Sequence, residues 1–185
     1  ASKAYPVDSS LYKYKFRPAQ VISNQYNKSH NFLTINKGKR DSIKTDMGVA
    51  TTNGIVGIVN KTSNKYASVQ SILHKNTQIN AKLKNTNHFG IIVWKNIKDP
   101  LRVNLVDIPR HTNLKIGDTV VTGGRSTIFP ENLPIGSISK AELDEMQNTY
   151  HIEVELFVDM TSLNAVYIIE NKDKNEIEEL ENATN

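Results

Sequence analysis

Short apolar runs of period two dominate this chain and limit what it can fold into. Runs rich in Val, Ile, Leu, Thr and Tyr recur along almost its whole length, each bounded by Gly, Asn, Asp or Pro. Alternation with a period of two puts successive side chains on opposite faces of a strand, whereas a helix needs a period near 3.6. Strands are predicted near 19–23, 32–35, 48–51, 55–60, 67–73, 79–84, 89–94, 101–106, 119–122, 135–139, 151–158 and 165–169. A further alternating run over 11–16 carries Tyr12, Tyr14 and Phe16 on one face. Helical periodicity is confined to 140–147, read as two turns, and 159–163, read as one turn capped by Asp159. Many short strands without a long helix point to an all-β protein of barrels or sandwiches.

Turn chemistry agrees with that class. Asn53-Gly54 is the pair favoured in a two-residue hairpin, because both residues tolerate positive φ. Gly57 sits inside a strand run, the position of a bulge or a sharp barrel corner. Gly117-Asp118 opens a strand, Gly123-Gly124 closes it, and Pro130 and Pro134 stiffen the connection that follows. Two β subdomains are expected, over about 19–80 and 81–170, preceded by a linker at 1–18. The polar, acidic stretch 171–185 is read as a disordered tail or, at most, a frayed helix.

Charge divides the chain unevenly. The net charge is +4, yet the residues from Glu170 onward carry −4, so the preceding 169 carry +8. A basic body can attract polyanions, and it can equally be a solvated surface. No run reaches the roughly 18–20 apolar residues that span a bilayer, and the first 16 residues lack the apolar stretch of a signal peptide. The absence of cysteine excludes thiol catalysis, disulfides and thiolate metal sites.

The search for chemistry finds no convincing site. His111, Asp118 and Ser126 occur in the order of a hydrolytic triad, but they crowd into one turn-strand-turn unit, and no Gly-x-Ser-x-Gly elbow exists. Asp118 and Ser126 instead suit turn residues that bond backbone groups. His30, His74, His88, His111 and His151 lack metal-ligand spacing. No glycine-rich loop is built to hold a nucleotide phosphate. No catalytic, cofactor-binding or metal-binding residue is therefore assigned, and no cofactor or small-molecule substrate is expected. One alternative is a basic β-barrel that binds nucleic acid or another polyanion, with Phe89 and Trp94 as stacking surfaces beside Lys95 and Lys98. The rarity of further aromatics at such a site argues against nucleic acid.

An ordered series of motifs resembles one family. Ala19-Gln20-Val21-Ile22 is followed by Asn31-Phe32-Leu33-Thr34-Ile35-Asn36-Lys37-Gly38. Next come Met47-Gly48-Val49 and Asn53-Gly54-Ile55-Val56-Gly57-Ile58-Val59, then Ser68-Val69-Gln70-Ser71-Ile72-Leu73. The most specific part is Lys115-Ile116-Gly117-Asp118-Thr119-Val120-Val121-Thr122-Gly123-Gly124 with Ile128-Phe129-Pro130-Glu131-Asn132-Leu133-Pro134-Ile135-Gly136. Together these resemble the extracytoplasmic domain of the rod shape-determining MreC family, over about 19–169. Ser42 and Asn132 stand where that family commonly has glycine, and Gly124 is shifted against its usual Ser-Gly; Asn132 is thereby asked to adopt a left-handed conformation.

The resemblance implies two packed barrels of chymotrypsin-like form without a triad. It implies no enzyme, but a scaffold of the cell-elongation complex that binds and activates the peptidoglycan transpeptidase and maintains cell shape. Its place is the periplasmic or extracytoplasmic side of the bacterial inner membrane. The membrane anchor and most of a coiled coil lie outside this sequence, so 1–18 is read as a linker or the coiled coil's end. Further implied partners are MreD, actin-like MreB through the N-terminal part, and other copies in a dimer or filament. The turns at Gly38, Gly48, Asn53, Gly54, Gly57, Gly117, Asp118, Gly123, Pro130 and Gly136 are expected to define the fold. Leu33, Ile35, Val56, Val59, Phe129 and Ile135 are candidates for an apolar groove or sheet edge that meets a partner.

Overall fold

A computed structural model describes residues 13–84 and 86–184. Its strands are β1 (Tyr14–Asn24), β2 (His30–Ile35), β3 (Gly48–Ala50), β4 (Ile55–Thr62), β5 (Ala67–His74), β6 (Ile79–Leu83), β7 (Phe89–Val93), β8 (Arg102–Pro109), β9 (Thr119–Thr122), β10 (Pro134–Asp144), β11 (Thr149–Leu156) and β12 (Ala165–Asn171). A 3-10 turn covers Lys39–Asp41, and one helix, α1 (Lys174–Ala183), follows the last strand.

The strands close into two six-stranded barrels. The first runs β1-β12-β3-β4-β5-β2 and the second β10-β11-β8-β7-β6-β9. The expected contiguous halves are corrected here. β12 does not belong to the second half; it pairs antiparallel with β1 from Tyr14↔Asn171 to Gln20↔Ala165 and with β3 through Val49↔Ile168. The second barrel is thus inserted between the fifth and last strands of the first. β1 makes this closure possible because a bulge between Val21 and Ser23 bends it, so its first part pairs with β12 and its end with β2. Residues 14–18, expected in the linker, are already in β1; residues 1–12 lie outside the described residues.

Alternating side chains fill each barrel. Leu33, Ile35, Val56, Val59 and Val69 are buried in the first, and Leu83, Val103, Leu105, Ile152 and Val154 in the second. Each such side chain contributes roughly 1.5–3 kcal/mol by leaving water. The buried residues of both barrels form one continuous cluster, so the barrels share a core. The seam is tight: a Cβ added to Gly48 in β3 would lie 2.6 Å from the Phe129 ring of the second barrel.

Two local expectations are corrected, and a third, the Asp159 cap, holds on a turn that does not extend into a helix. Residues 140–147 are not helical: 140–144 continue β10, pairing Ala141 with Ile152 and Leu143 with Tyr150. Their helix-forming composition yields to the pairing of alternate residues across the hairpin. Residues 159–163 form a turn, in which Asp159 accepts hydrogen bonds at 3.0 Å from the Thr161 amide and 2.6 Å from its hydroxyl. Those bonds hold the Asp159 carboxyl below its ordinary pKa. Most of the expected disordered tail is α1.

The family departures acquire a geometric meaning. Ser42 and Asn132 have φ of 63° and 68°, the left-handed region where glycine is favoured. Asn53 and Gly54 are absent from the positive-φ residues. Their turn is closed instead by the Thr51 amide, which donates to the Gly54 carbonyl at 2.8 Å, and by the Asn53 amide donating to the Thr51 hydroxyl at 3.1 Å.

Candidate partner-binding surface

The six residues proposed from sequence as partner contacts are all interior. Leu33, Ile35, Val56, Val59 and Ile135 are at most 1% exposed, and Phe129 is 3% exposed. They build the barrel cores and the seam, which corrects their reading as a surface groove. Val56–Val59 is not a free edge either, because β4 is flanked by β3 and β5. The β10 segment 140–144 is bordered by β11 alone, since the β9 pairing stops at Ser137↔Thr119. Charges occupy that edge: Lys140 pairs with Glu142 at 3.0 Å, and this hydrogen bond raises the Lys140 pKa. Charged side chains are a common guard against strand addition.

The residues weighed for other chemistry serve the fold. Asp118 accepts from the Lys115 amide at 2.8 Å, and the Ser126 hydroxyl accepts from the Ile128 amide at 3.0 Å. His111 instead meets His88, with ring centroids 5.9 Å apart. Trp94 is 2% exposed and its indole N–H donates to the Asp99 carbonyl at 3.0 Å. Phe89 is covered by the Arg125 guanidinium, 3.5 Å from the ring centroid. Neither ring is an open stacking surface of the kind single-stranded nucleic acid needs. Among the described residues no group of three His, Asp or Glu is placed to hold a metal ion.

Two surface features stand out among the described residues. Ile97, Leu101 and Phe157 are exposed large apolar residues of the second barrel. The first two lie on the β7–β8 connection, which the Trp94–Asp99 bond anchors. The Leu156 amide donates to the Leu101 carbonyl at 3.0 Å, bringing Phe157 to the same end of the barrel. Arg102 stands beside them, bonded to Asp99 at 3.2 Å and close to Glu153 at 3.4 Å. Its Asp99 hydrogen bond raises its pKa further.

The second feature is a cleft of about 540 Å³ between the barrels and α1. Ile58, Ile79, Ile128 and Phe129 give it an apolar floor, Lys13 and Arg125 add positive charge, and Ile177 and Glu181 face it from α1. Lys82, 6% exposed, pairs with Glu131 and ties down the loop before β10. Sequence reasoning missed the roles of Arg125 and α1. The only signals were the acidic end set against a basic body and Ile177 placed four residues before Glu181.

Two closed six-stranded barrels sharing one core, with no catalytic group assembled among the described residues, define a double β-barrel protein. The barrel-core model of the rod shape-determining protein MreC matches residues 21–170. This chain belongs to that family. It is 31% identical over 166 residues to a cell shape-determining protein MreC of Listeria monocytogenes, covering 88% of this chain and 56% of that protein. It is 27% identical over 169 residues to the Bacillus subtilis protein of the same name, covering 86% and 58%. The chain thus spans a little over half the length of these curated relatives. A solved Listeria MreC structure superposes with a TM-score of 0.80 at 31% identity, covering 90% of this chain and 80% of that one. A complex between penicillin-binding protein PBP2 and MreC from Helicobacter pylori matches with a TM-score of 0.65 at 18% identity, covering 86% and 99%, and so shows the shared fold. Among the described residues no helix is long and apolar enough to cross a membrane.

Proposed function

We propose that this chain is the extracytoplasmic part of a cell-elongation scaffold, which binds the peptidoglycan transpeptidase of the rod complex and raises its activity. The observation that carries this reading is the barrel-core match over residues 21–170, nearly the whole paired body. The Helicobacter relative is seen in complex with a penicillin-binding protein, which supports the choice of partner. The scaffold works on the periplasmic or outer face of the membrane. MreD, actin-like MreB and other copies of the chain are its further partners. Its contact with the transpeptidase is a face rather than an added strand, because both barrels are closed and the unpaired edge of β10 at 140–144 is guarded by charge. The apolar end formed by Ile97, Leu101 and Phe157 is the surface best suited to such docking.

The test is titration of this chain with the extracytoplasmic part of the elongation transpeptidase from the same organism, at about 50 and 200 mM salt. Saturable binding that survives the higher salt is expected of an apolar docking face. Binding to single-stranded DNA that collapses over the same salt range, with no transpeptidase binding, would favour the polyanion alternative.

A further inference from the structure

We infer that α1 is a displaceable latch on the inter-barrel cleft, and that the cleft is a groove for an acidic amphipathic helix which the chain's own tail fills in cis. The inference stands apart from the scaffold reading, since its test needs only this chain and its tail.

The helix has little reason to exist alone. It is 10 residues long, and none of them is buried. Isolated helices of this length are marginal in water. Its first turn lacks a side-chain cap bond and its last turn lacks a basic residue. Glu178, Glu179 and Glu181 crowd towards its C-terminal end, where the helix dipole opposes negative charge. Docking must therefore supply the stabilisation that the sequence of α1 lacks.

The cleft supplies it through complementary chemistry. Ile177 faces the same space as Ile58, Ile79 and Ile128, and Glu181 faces the space that Arg125 and Lys13 line. The tail is fixed at its root, where the Asn171 side-chain amide donates to the Thr127 carbonyl at 3.2 Å and the Lys172 amide donates to the Lys13 carbonyl at 2.8 Å. Beyond the root the hydrogen bonds from α1 to the barrels among the described residues are long: Thr127 Oγ1 to Glu178 at 3.5 Å, and the Lys174 ammonium to the Asp46 carbonyl at 3.4 Å. Leu180 stays 68% exposed beside the cleft. A firm hinge followed by weak contacts and an incompletely filled groove is the arrangement of a segment that can be displaced.

A fluorescent peptide of residues 172–184 is titrated into the full chain and into the full chain carrying Ile177→Asp and Glu181→Lys, which vacates the groove. If the native tail leaves the groove free about a tenth of the time, the variant binds the peptide about tenfold more tightly than the unaltered chain. Adding Arg125→Glu to the variant abolishes that gain, and raising salt weakens it because charge contributes. Hydrogen exchange at 126–129 quickens in the variant and slows again when peptide is added. The two tail substitutions lie outside both barrels, so an unchanged melting transition verifies that the barrels are intact; Arg125→Glu also uncovers the Phe89 ring of β7, so its melting transition is measured separately. Equal affinity in both chains, or no binding to either, overturns the latch, as does exchange at 126–129 that the variant leaves unaltered.

Discussion

Gly54, in the turn before β4, abuts the second barrel at Pro134: a Cβ built on it would lie 2.8 Å from the Pro134 carbonyl oxygen and 3.2 Å from Val158 Cγ2. The residue is small because two barrels meet there, and positive φ has no part in it. Gly54→Val therefore acts by overpacking the seam, with an expected loss of about 1–3 kcal/mol. Gly54→Ala should lose less but still measurably, since its added carbon already meets backbone. Chemical denaturation of both variants checks this, and wild-type stability in the valine variant would show that the barrels do not meet as described.

Gly48 and Phe129 make a second such pair, and here the obstacle is a side chain. Phe129→Ala empties a buried site shared by both barrels and should cost about 3–5 kcal/mol. Gly48→Ala forces its methyl group to within 2.6 Å of the ring unless the ring shifts. Removing the ring should make the added methyl cheaper, so the double variant is expected to be more stable than the sum of the single losses. A double-mutant cycle measures that coupling. Strict additivity would mean that Phe129 does not pack against β3.

These contacts mark what the sequence can and cannot reveal. Alternation exposed nearly every strand, because each barrel strand sends one set of side chains inward and the pattern is local. Leu33, Val56 and Ile135 were legible as apolar strand positions, yet their depth was not, since an interior and an exposed groove ask for the same residue types. The return of β12 to the first barrel was hidden because pairing Tyr14 with Asn171 is invisible to any local pattern. α1 was legible only as a frayed helix at most: its Glu, Leu, Ala and Lys residues favour a helix locally, but so short and acidic a segment does not hold one alone, and the cleft that favours it is assembled from β4, β6 and the β9–β10 loop. The family resemblance carried the fold class, and it could not locate the docking face.

His74 gives the chain a pH-dependent stability. It is buried, its ring centroid lies 4.8 Å from that of His30, and its Nδ1 accepts the Asn76 amide at 3.0 Å. Burial, and then the neighbouring His30, lower its pKa below the ordinary value of 6.5. The unfolded chain therefore binds the proton more readily than the native one. Stability is complete above pH 6.5 and falls as the pH drops through that value towards the lowered native pKa. Protonation also removes the acceptor for Asn76. Urea unfolding at a series of pH values should show this decline, and His74→Phe should flatten it even if it lowers stability throughout. An unaltered slope in that variant would assign the decline to other groups.

The apolar end of the second barrel offers the sharpest test of function. Leu101 and Phe157 are 46% and 44% exposed, so replacing either with Asp removes little packing and should change stability by no more than about 0.5 kcal/mol. If this end is the docking face, a charge placed at its centre must be desolvated without a partner when the transpeptidase binds. Truncation or charging of a central apolar contact commonly costs 2 kcal/mol or more, roughly a thirtyfold loss of affinity. Leu101→Asp and Phe157→Asp should each weaken transpeptidase binding by about that factor while the melting temperature holds. Met146, 96% exposed at the tip of the β10–β11 hairpin, serves as the control, and Met146→Asp should leave affinity unaltered. Loss of binding in all three variants would point to a general charge effect, and retention in all three would move the docking face elsewhere on the barrels.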